Sequence, residues 1–172
     1  MLQSYDPYYK QVQYALSQVT RDSLLEYALA TDAFVDISYK ISFFKLPSTI
    51  QHFKPKGINC VCQLLRVTET GSKIHKDRNR YNEYENLYMP RQTVINFPLA
   101  PTASKTMFYD DNENFVCSVG YHNCGAILNT GGCFHNVEYN DKSPRIVFQL
   151  CFEEPYEEVC EIYNKKLKGL II

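Results

Sequence analysis

Apolar positions recur with two different periods along this chain, and the change of period divides it. From Thr20 to Ala30, Leu24, Leu25, Ala28 and Leu29 fall on one face of a helix, with Thr20, Asp22 or Ser23 as candidate caps. At the far end, Pro155 stands at the first helical position and Glu157 and Glu158 follow in the first turn. Lys165 and Lys166 come late, an order that suits the helix dipole. Val159, Ile162, Tyr163 and Leu167 make the apolar face of this second helix, predicted over about 155–168. Between the two ends the period drops to two. Strand-like runs occupy 34–46, 58–67, 91–99, 106–109, 115–121, 126–129, 133–139 and 145–152, separated by turn clusters such as Asp110–Asn114, Thr130–Gly132 and Asn140–Pro144. Many short strands with no helix between them predict an antiparallel sandwich or barrel, a β core over about 33–152 with helices outside it.

Composition narrows the class. At 172 residues the expectation is one domain over 1–172, large enough for a core without staples. The chain is 45% hydrophobic and 14% aromatic, which excludes disorder as the main state. Eighteen basic against nineteen acidic residues argue against a polyanion binder working by bulk charge. No apolar run reaches the ~18 residues of a membrane span, and the start lacks a basic region followed by an apolar one, so no membrane partner is expected. Seven Cys, an odd number at irregular spacing, read as free thiols in a reducing cytoplasm.

The candidate chemistry lies in His75-Lys76-Asp77. On extended backbone, residues i and i+2 point the same way, so an imidazole and a carboxylate can face one point. His135 follows 60 residues later on a predicted strand. Two His and one carboxylate holding one face of an ion form the facial triad of non-haem Fe(II) oxygenases. Arg145 opens the next strand, ten residues after His135, where its guanidinium can pair bidentately with a carboxylate.

His-x-Asp, a distal His and an Arg ten residues on, all in a strand context, resemble the 2-oxoglutarate/Fe(II)-dependent dioxygenases, most closely their prolyl-hydroxylase-like branch. Thr106-Met-Phe108 is similar to the Thr-x-Phe strand of that branch, and Gly125–Thr130 to the strand and turn before its distal His. The resemblance covers roughly 58–152. It implies a mainly β fold, a double-stranded β-helix (jelly roll, cupin-like) with flanking N- and C-terminal helices. The activity it implies is a hydroxylase in which 2-oxoglutarate and O2 are consumed, succinate and CO2 leave, and a substrate C–H bond is oxidised. By the same resemblance His75, Asp77 and His135 are the Fe(II) ligands and catalytic centre, and Arg145 anchors 2-oxoglutarate. The branch has two Gly before Thr-x-Phe where Ser104 and Lys105 stand here, and a Tyr before His-x-Asp that 62–67 lacks. Thr106, Asn96 and Tyr88 are candidate co-substrate contacts, with Gln63 and Thr93 as alternatives.

Each feature also has a plainer reading. His75 and Asp77 can be a solvated pair among Lys73, Lys76, Arg78 and Arg80, and His135 a core His. Cys117, His122, Cys124 and Cys133 read weakly as zinc ligands, because no Cys-x-x-Cys pair is present. His52 and His122 read as surface residues. The basic run and the following Tyr81, Tyr84 and Tyr88 read as a solvated lid before they read as a nucleic-acid or anion receptor, since Glu83 and Glu85 dilute the charge. The expected partners are 2-oxoglutarate and an unidentified small-molecule or peptide substrate, with nucleic acid not favoured. Two other classes stand beside the oxygenase: a non-catalytic jelly-roll binding protein, and a cupin-like metalloprotein that does not use 2-oxoglutarate. Asp77, at a barrel mouth, is expected to add little to the core.

Overall fold

The computed structural model describes backbone and side chains of residues 1–30, 50–68, 73–81 and 86–172, and the backbone of 34–37, 41–44, 47–49 and 82. Strands β1 (Ser4–Tyr5) and β2 (Tyr9–Gln13) precede helix α1 (Gln18–Ala30). Strands β3 (Phe34–Ile37) and β4 (Ile41–Phe44) form a hairpin, followed by a 3-10 helix over Pro47–Phe53 and by β5 (Val61–Val67). A small hairpin, β6 (Arg80–Asn82) with β7 (Leu87–Met89), leads into β8 (Thr93–Pro98). Next come β9 (Lys105–Tyr109), β10 (Phe115–Val119), β11 (Cys124–Leu128), β12 (Phe134–Glu138) and β13 (Arg145–Phe152), then helix α2 (Tyr156–Ile162) with a π turn over Tyr163–Leu167.

An eight-stranded sheet in the order β1-β2-β11-β8-β13-β5-β4-β3 faces a three-stranded sheet in the order β10-β9-β12. Period-two alternation sorts the residues of the large sheet. On β13, Ile146, Phe148, Leu150 and Phe152 face outward onto Leu24 and Ala28 of α1 and Val159 of α2. Burying each of these four side chains contributes about 1.5–3 kcal/mol. The inner face joins Tyr9, Val94, Ala126 and Leu128 to Phe108 and Cys117 of the small sheet and to Cys133 just before β12. Arg145 and Gln149 lie on this same inner face of β13, by alternation with the outward residues. The sheet pairing therefore decides that these polar groups meet inside the sandwich.

Expectations change at both ends of the chain. The sheet takes in β2, which pairs with β11 from Cys124↔Gln13 to Leu128↔Tyr9, so the β core starts well before residue 33. Helix α1 starts at Gln18 because Ser17 caps it, its Oγ accepting from the Thr20 N–H at 3.1 Å. Leu29 turns out to solvent while Leu24 and Ala28 are buried, because the stripe that meets the sheet is narrower than the apolar set. At the other end Pro155 occupies the N-cap of α2 instead of its first turn, and that helix ends at Ile162. Tyr84, Glu83 and Glu85 lie outside the described residues, as do 38–40 and 45–46 of the 34–46 run. Among the described residues no helix is long and apolar enough to cross a membrane.

Candidate active site

His75 and His135 meet through the backbone before they meet through their rings. The His75 N–H donates to the His135 carbonyl at 3.0 Å and the His135 N–H to the His75 carbonyl at 2.8 Å, an isolated antiparallel bridge onto β12. Two residues on, the Asp77 N–H donates to the Thr130 carbonyl at 2.8 Å. The segment carrying His-x-Asp is thus clipped to the edge of β12 and to the turn before it. That turn sits close to the start of β8. The Gly131 N–H donates to the Gln92 carbonyl at 2.9 Å, and a Cβ on Gly131 would lie 2.6 Å from the Gln92 side chain. Only glycine permits that approach.

The side chains converge. One ligand atom from each of His75, Asp77 and His135 lies within 4.8 Å of the others. Asp77 Oδ1 is 3.7 Å from His75 Nε2, and Asp77 Oδ2 is 3.9 Å from His135 Nε2. Both imidazoles place Nδ1 against a backbone carbonyl: His75 against Lys73 at 2.7 Å and His135 against Cys133 at 3.2 Å. A carbonyl only accepts, so Nδ1 carries the hydrogen in each ring and the Nε2 lone pair faces the shared point, the arrangement of a metal-binding histidine. Two neutral nitrogens and one carboxylate form a donor set suited to a divalent transition metal. Among the described residues no other cluster of His, Cys, Asp and Glu has this geometry, so Cys117, His122, Cys124 and Cys133 do not form the zinc site weighed from sequence.

Arg91 completes the centre, and no sequence signal marked it. Its Nη2 donates to Asp77 Oδ2 at 2.7 Å. Burial opposes ionisation of Asp77, but the Arg91 charge, His75 and His135 outweigh it and hold the carboxyl well below the usual range. Burial pushes His135 down to about 4, against the pull of Asp77, which keeps it neutral. The Asp77 carboxylate beside it raises His75. The expectation that Asp77 adds little to the core is therefore corrected: its side chain is buried and paired with a buried cation.

The triad borders a cavity of about 370 Å³ whose wall includes Asn96, Thr106, Gln149 and Arg145. Arg145 is 3% exposed, and its Nε and Nη1 are buried with no hydrogen-bond partner. Its guanidinium lies 5.0 Å from the centre of the Tyr121 ring. The Tyr121 hydroxyl accepts from Asn96 Nδ2 at 3.1 Å and lies 3.4 Å from Thr106 Oγ1. Gln149 Nε2 in turn donates to Asn96 Oδ1 at 2.7 Å, and Gln63 bonds Gln149 from behind. A buried polar row, set by the pairings Gln63↔Gln149↔Asn96, thus backs the cavity between triad and guanidinium. Thr106 is two residues along β9 from Phe108, which pairs with His135, a step of about 7 Å. Two buried guanidinium nitrogens without a hydrogen-bond partner are costly, and a carboxylate-ended ligand reaching them from the triad would satisfy them.

Of the candidates from sequence, His75, Asp77, His135, Arg145, Thr106 and Asn96 all line this cavity. Tyr88 does not. On β7 it alternates with Met89, which is buried, so Tyr88 points outward and is 45% exposed beside Tyr81. Thr93 is turned to the Glu154 carbonyl, its Oγ1 donating at 2.9 Å. His52 and His122 are exposed and lie outside the cavity. Sequence reasoning missed Arg91, Tyr121 and Gln149. Gln149 had a usable signal, since it stands four residues from Arg145 on the same strand face.

No protein-family model matches the chain, and no curated protein sequence matches it. Among solved structures it is similar to HygX from Streptomyces hygroscopicus in the crystal form with nickel, 2-oxoglutarate and hygromycin B bound. The TM-score is 0.55 at 11% identity, over 83% of this chain and 81% of that one. A second HygX structure, with nickel and 2-oxoglutarate bound, superposes with a TM-score of 0.48 at 9% identity and the same coverage. The two facing antiparallel sheets and the first of these likenesses establish the fold as a mainly β double-stranded β-helix, jelly-roll and cupin-like, with flanking N- and C-terminal helices.

Proposed function

We propose that the chain is an Fe(II)- and 2-oxoglutarate-dependent dioxygenase, a hydroxylase of a small-molecule or peptide substrate, acting as a single domain in the cytoplasm. The observation that carries this reading is the placement of two unlike sites in one cavity. His75, Asp77 and His135 converge within 4.8 Å, and Arg145, whose buried Nε and Nη1 have no hydrogen-bond partner, stands on the same wall. That HygX, of the same fold, binds nickel and 2-oxoglutarate supports it. Seven free Cys, six of them buried, suit a reducing compartment.

In this reading His75, Asp77 and His135 would hold the metal, and the keto-acid end of the co-substrate would bind beside them. Bound iron supplies the oxidising chemistry. Arg145 pairs with the far carboxylate and fixes its orientation, while Thr106 and Asn96, tied to Tyr121, present fixed polar groups along the way. Arg91 holds Asp77 ionised, and burial of His135 keeps that ring neutral and able to bind metal. The test is succinate release from 2-oxoglutarate under O2, in iron-loaded protein, across a panel of peptides and small metabolites. Absence of tight nickel(II) and 2-oxoglutarate binding would reject the proposal. A second reading, a jelly-roll binding module with a relict site, is favoured by the Arg91–Asp77 pair, which already neutralises the carboxylate. Metal content after anaerobic iron loading separates the two.

A further inference from the structure

We propose that Tyr121 is a positioning residue for the co-substrate: its ring sets the plane of the Arg145 guanidinium, and its hydroxyl turns the Thr106 hydroxyl toward the far carboxylate. This rests on the oxygenase reading and adds to it the side chain that orients the anchor. Tyr121 lies in the short link between β10 and β11, where the chain passes from the small sheet to the large one. Just before the link Val119 pairs with Thr106, and just after it Ala126 pairs with Asn96. The two registers thus set Thr106 and Asn96 on either side of Tyr121. The link is held from β2, where Gln11 Nε2 donates to the Gly120 carbonyl at 3.0 Å. Tyr121 itself is 4% exposed.

Arg145 needs such a support. Its Nε and Nη1 are buried without a hydrogen-bond partner, so no hydrogen bond at those atoms fixes the guanidinium plane. The Tyr121 ring supplies an aromatic face, with its centre 5.0 Å from the guanidinium carbon, inside the ~6 Å range of a cation–π contact. A guanidinium held against a ring keeps its N–H edges for a planar carboxylate. The same residue therefore touches the anchor with its ring and reaches Thr106 and Asn96 with its hydroxyl.

The hydrogen bonds behind it run one way. Gln63 Nε2 donates to Gln149 Oε1, Gln149 Nε2 to Asn96 Oδ1 at 2.7 Å, and Asn96 Nδ2 to the Tyr121 oxygen at 3.1 Å. Because that oxygen already accepts from Asn96, the Tyr121 hydrogen is left for Thr106 Oγ1, 3.4 Å away. Thr106 then accepts, and its own hydrogen is left to donate into the cavity it lines. Hydrogen bonds aligned in one direction polarise one another, which strengthens the last donor. A wall that ends on an O–H donor and a guanidinium suits a group that only accepts, and a carboxylate is such a group.

The test is calorimetric titration of nickel-loaded protein with 2-oxoglutarate and with 2-oxopentanoate, which carries a methyl in place of the far carboxylate. Wild type is compared with Tyr121→Phe, which keeps the ring, and Tyr121→Leu, which removes it. Affinity for 2-oxoglutarate should fall roughly three- to ten-fold in Tyr121→Phe, the scale of one net hydrogen bond, and further in Tyr121→Leu. The weaker affinity for 2-oxopentanoate should hold in both, as should nickel affinity, because neither involves Arg145 or Thr106. Thr106→Val should lose at least as much as Tyr121→Phe, and the double variant no more than Thr106→Val alone. Far-UV circular dichroism checks folding, and Tyr121→Phe carries the test if Tyr121→Leu does not fold. Equal losses for the two acids, or a parallel loss of nickel affinity, would make Tyr121 a structural residue only and overturn the proposal. Unchanged 2-oxoglutarate affinity in Tyr121→Phe, or additive losses in the double variant, overturn it too. Those results leave the oxygenase reading standing, whereas a wild type that binds neither nickel nor 2-oxoglutarate overturns both.

Discussion

Asp77 and Arg91 form a buried ion pair: Arg91 Nη2 lies 2.7 Å from Asp77 Oδ2, with side chains only 6% and 5% exposed. Removing one member of such a pair strands the other charge in a low-dielectric site. Asp77→Ala should therefore lose metal binding and also destabilise the fold, by about 3–5 kcal/mol. Urea denaturation measures the cost. The double variant Asp77→Ala/Arg91→Met should recover most of it, and additive losses would show that the pair is not the cause.

Arg91→Met alone leaves Asp77 buried without its fixed cation. A divalent metal then becomes the main positive charge beside that carboxylate. The variant should start less stable than wild type yet gain more from added nickel(II), since a ligand that binds only the folded state stabilises by mass action. Thermal denaturation with and without nickel reads both effects. Equal nickel-induced shifts would mean that Arg91 and the metal do not share the carboxylate.

Arg145→Lys keeps the charge but loses the fork and the flat face over Tyr121. The affinity of nickel-loaded protein for 2-oxoglutarate should fall by about 1–3 kcal/mol, the range for a charge-assisted hydrogen bond. Nickel affinity itself should hold, because Arg145 is not among the converging ligands. An unaltered 2-oxoglutarate affinity, read by calorimetry, removes Arg145 as the anchor.

Asp141 ties the loop before β9 to the loop before β13. It accepts from the Ala103 N–H at 2.6 Å, from Ser104 Oγ at 2.6 Å and from Thr102 Oγ1. Burial raises its pKa, but these bonds lower it further, so the folded-state pKa lies below the ordinary carboxylate value. A depressed carboxylate contributes stability that is present above the unfolded pKa, near 4, and lost as pH falls through the folded one. Asp141→Asn should cost of order 1 kcal/mol at neutral pH, allowing for solvent screening, and less at pH 2. Denaturation midpoints at the two pH values check the sign.

Much of this protein was legible in its residue pattern. Alternation along 145–152 separates Ile146, Phe148, Leu150 and Phe152 from Arg145 and Gln149, and that rule is local, since a strand's side chains point to opposite faces whatever it pairs with. The His75–Asp77 spacing and the later His135 were visible for the same reason. The short, polar, Tyr-rich β1 and β2 were not, because their strand state comes from docking on β11. Residue pattern alone did not show that Tyr88 points away while Tyr121 supports the polar row, or that Arg91 sits behind Asp77. Those depend on which strands pair and in what register. What the tertiary structure decided is the meeting of the two imidazoles across the His75–His135 bridge, since a contact spanning 60 residues is made by long-range backbone hydrogen bonds that no local preference encodes.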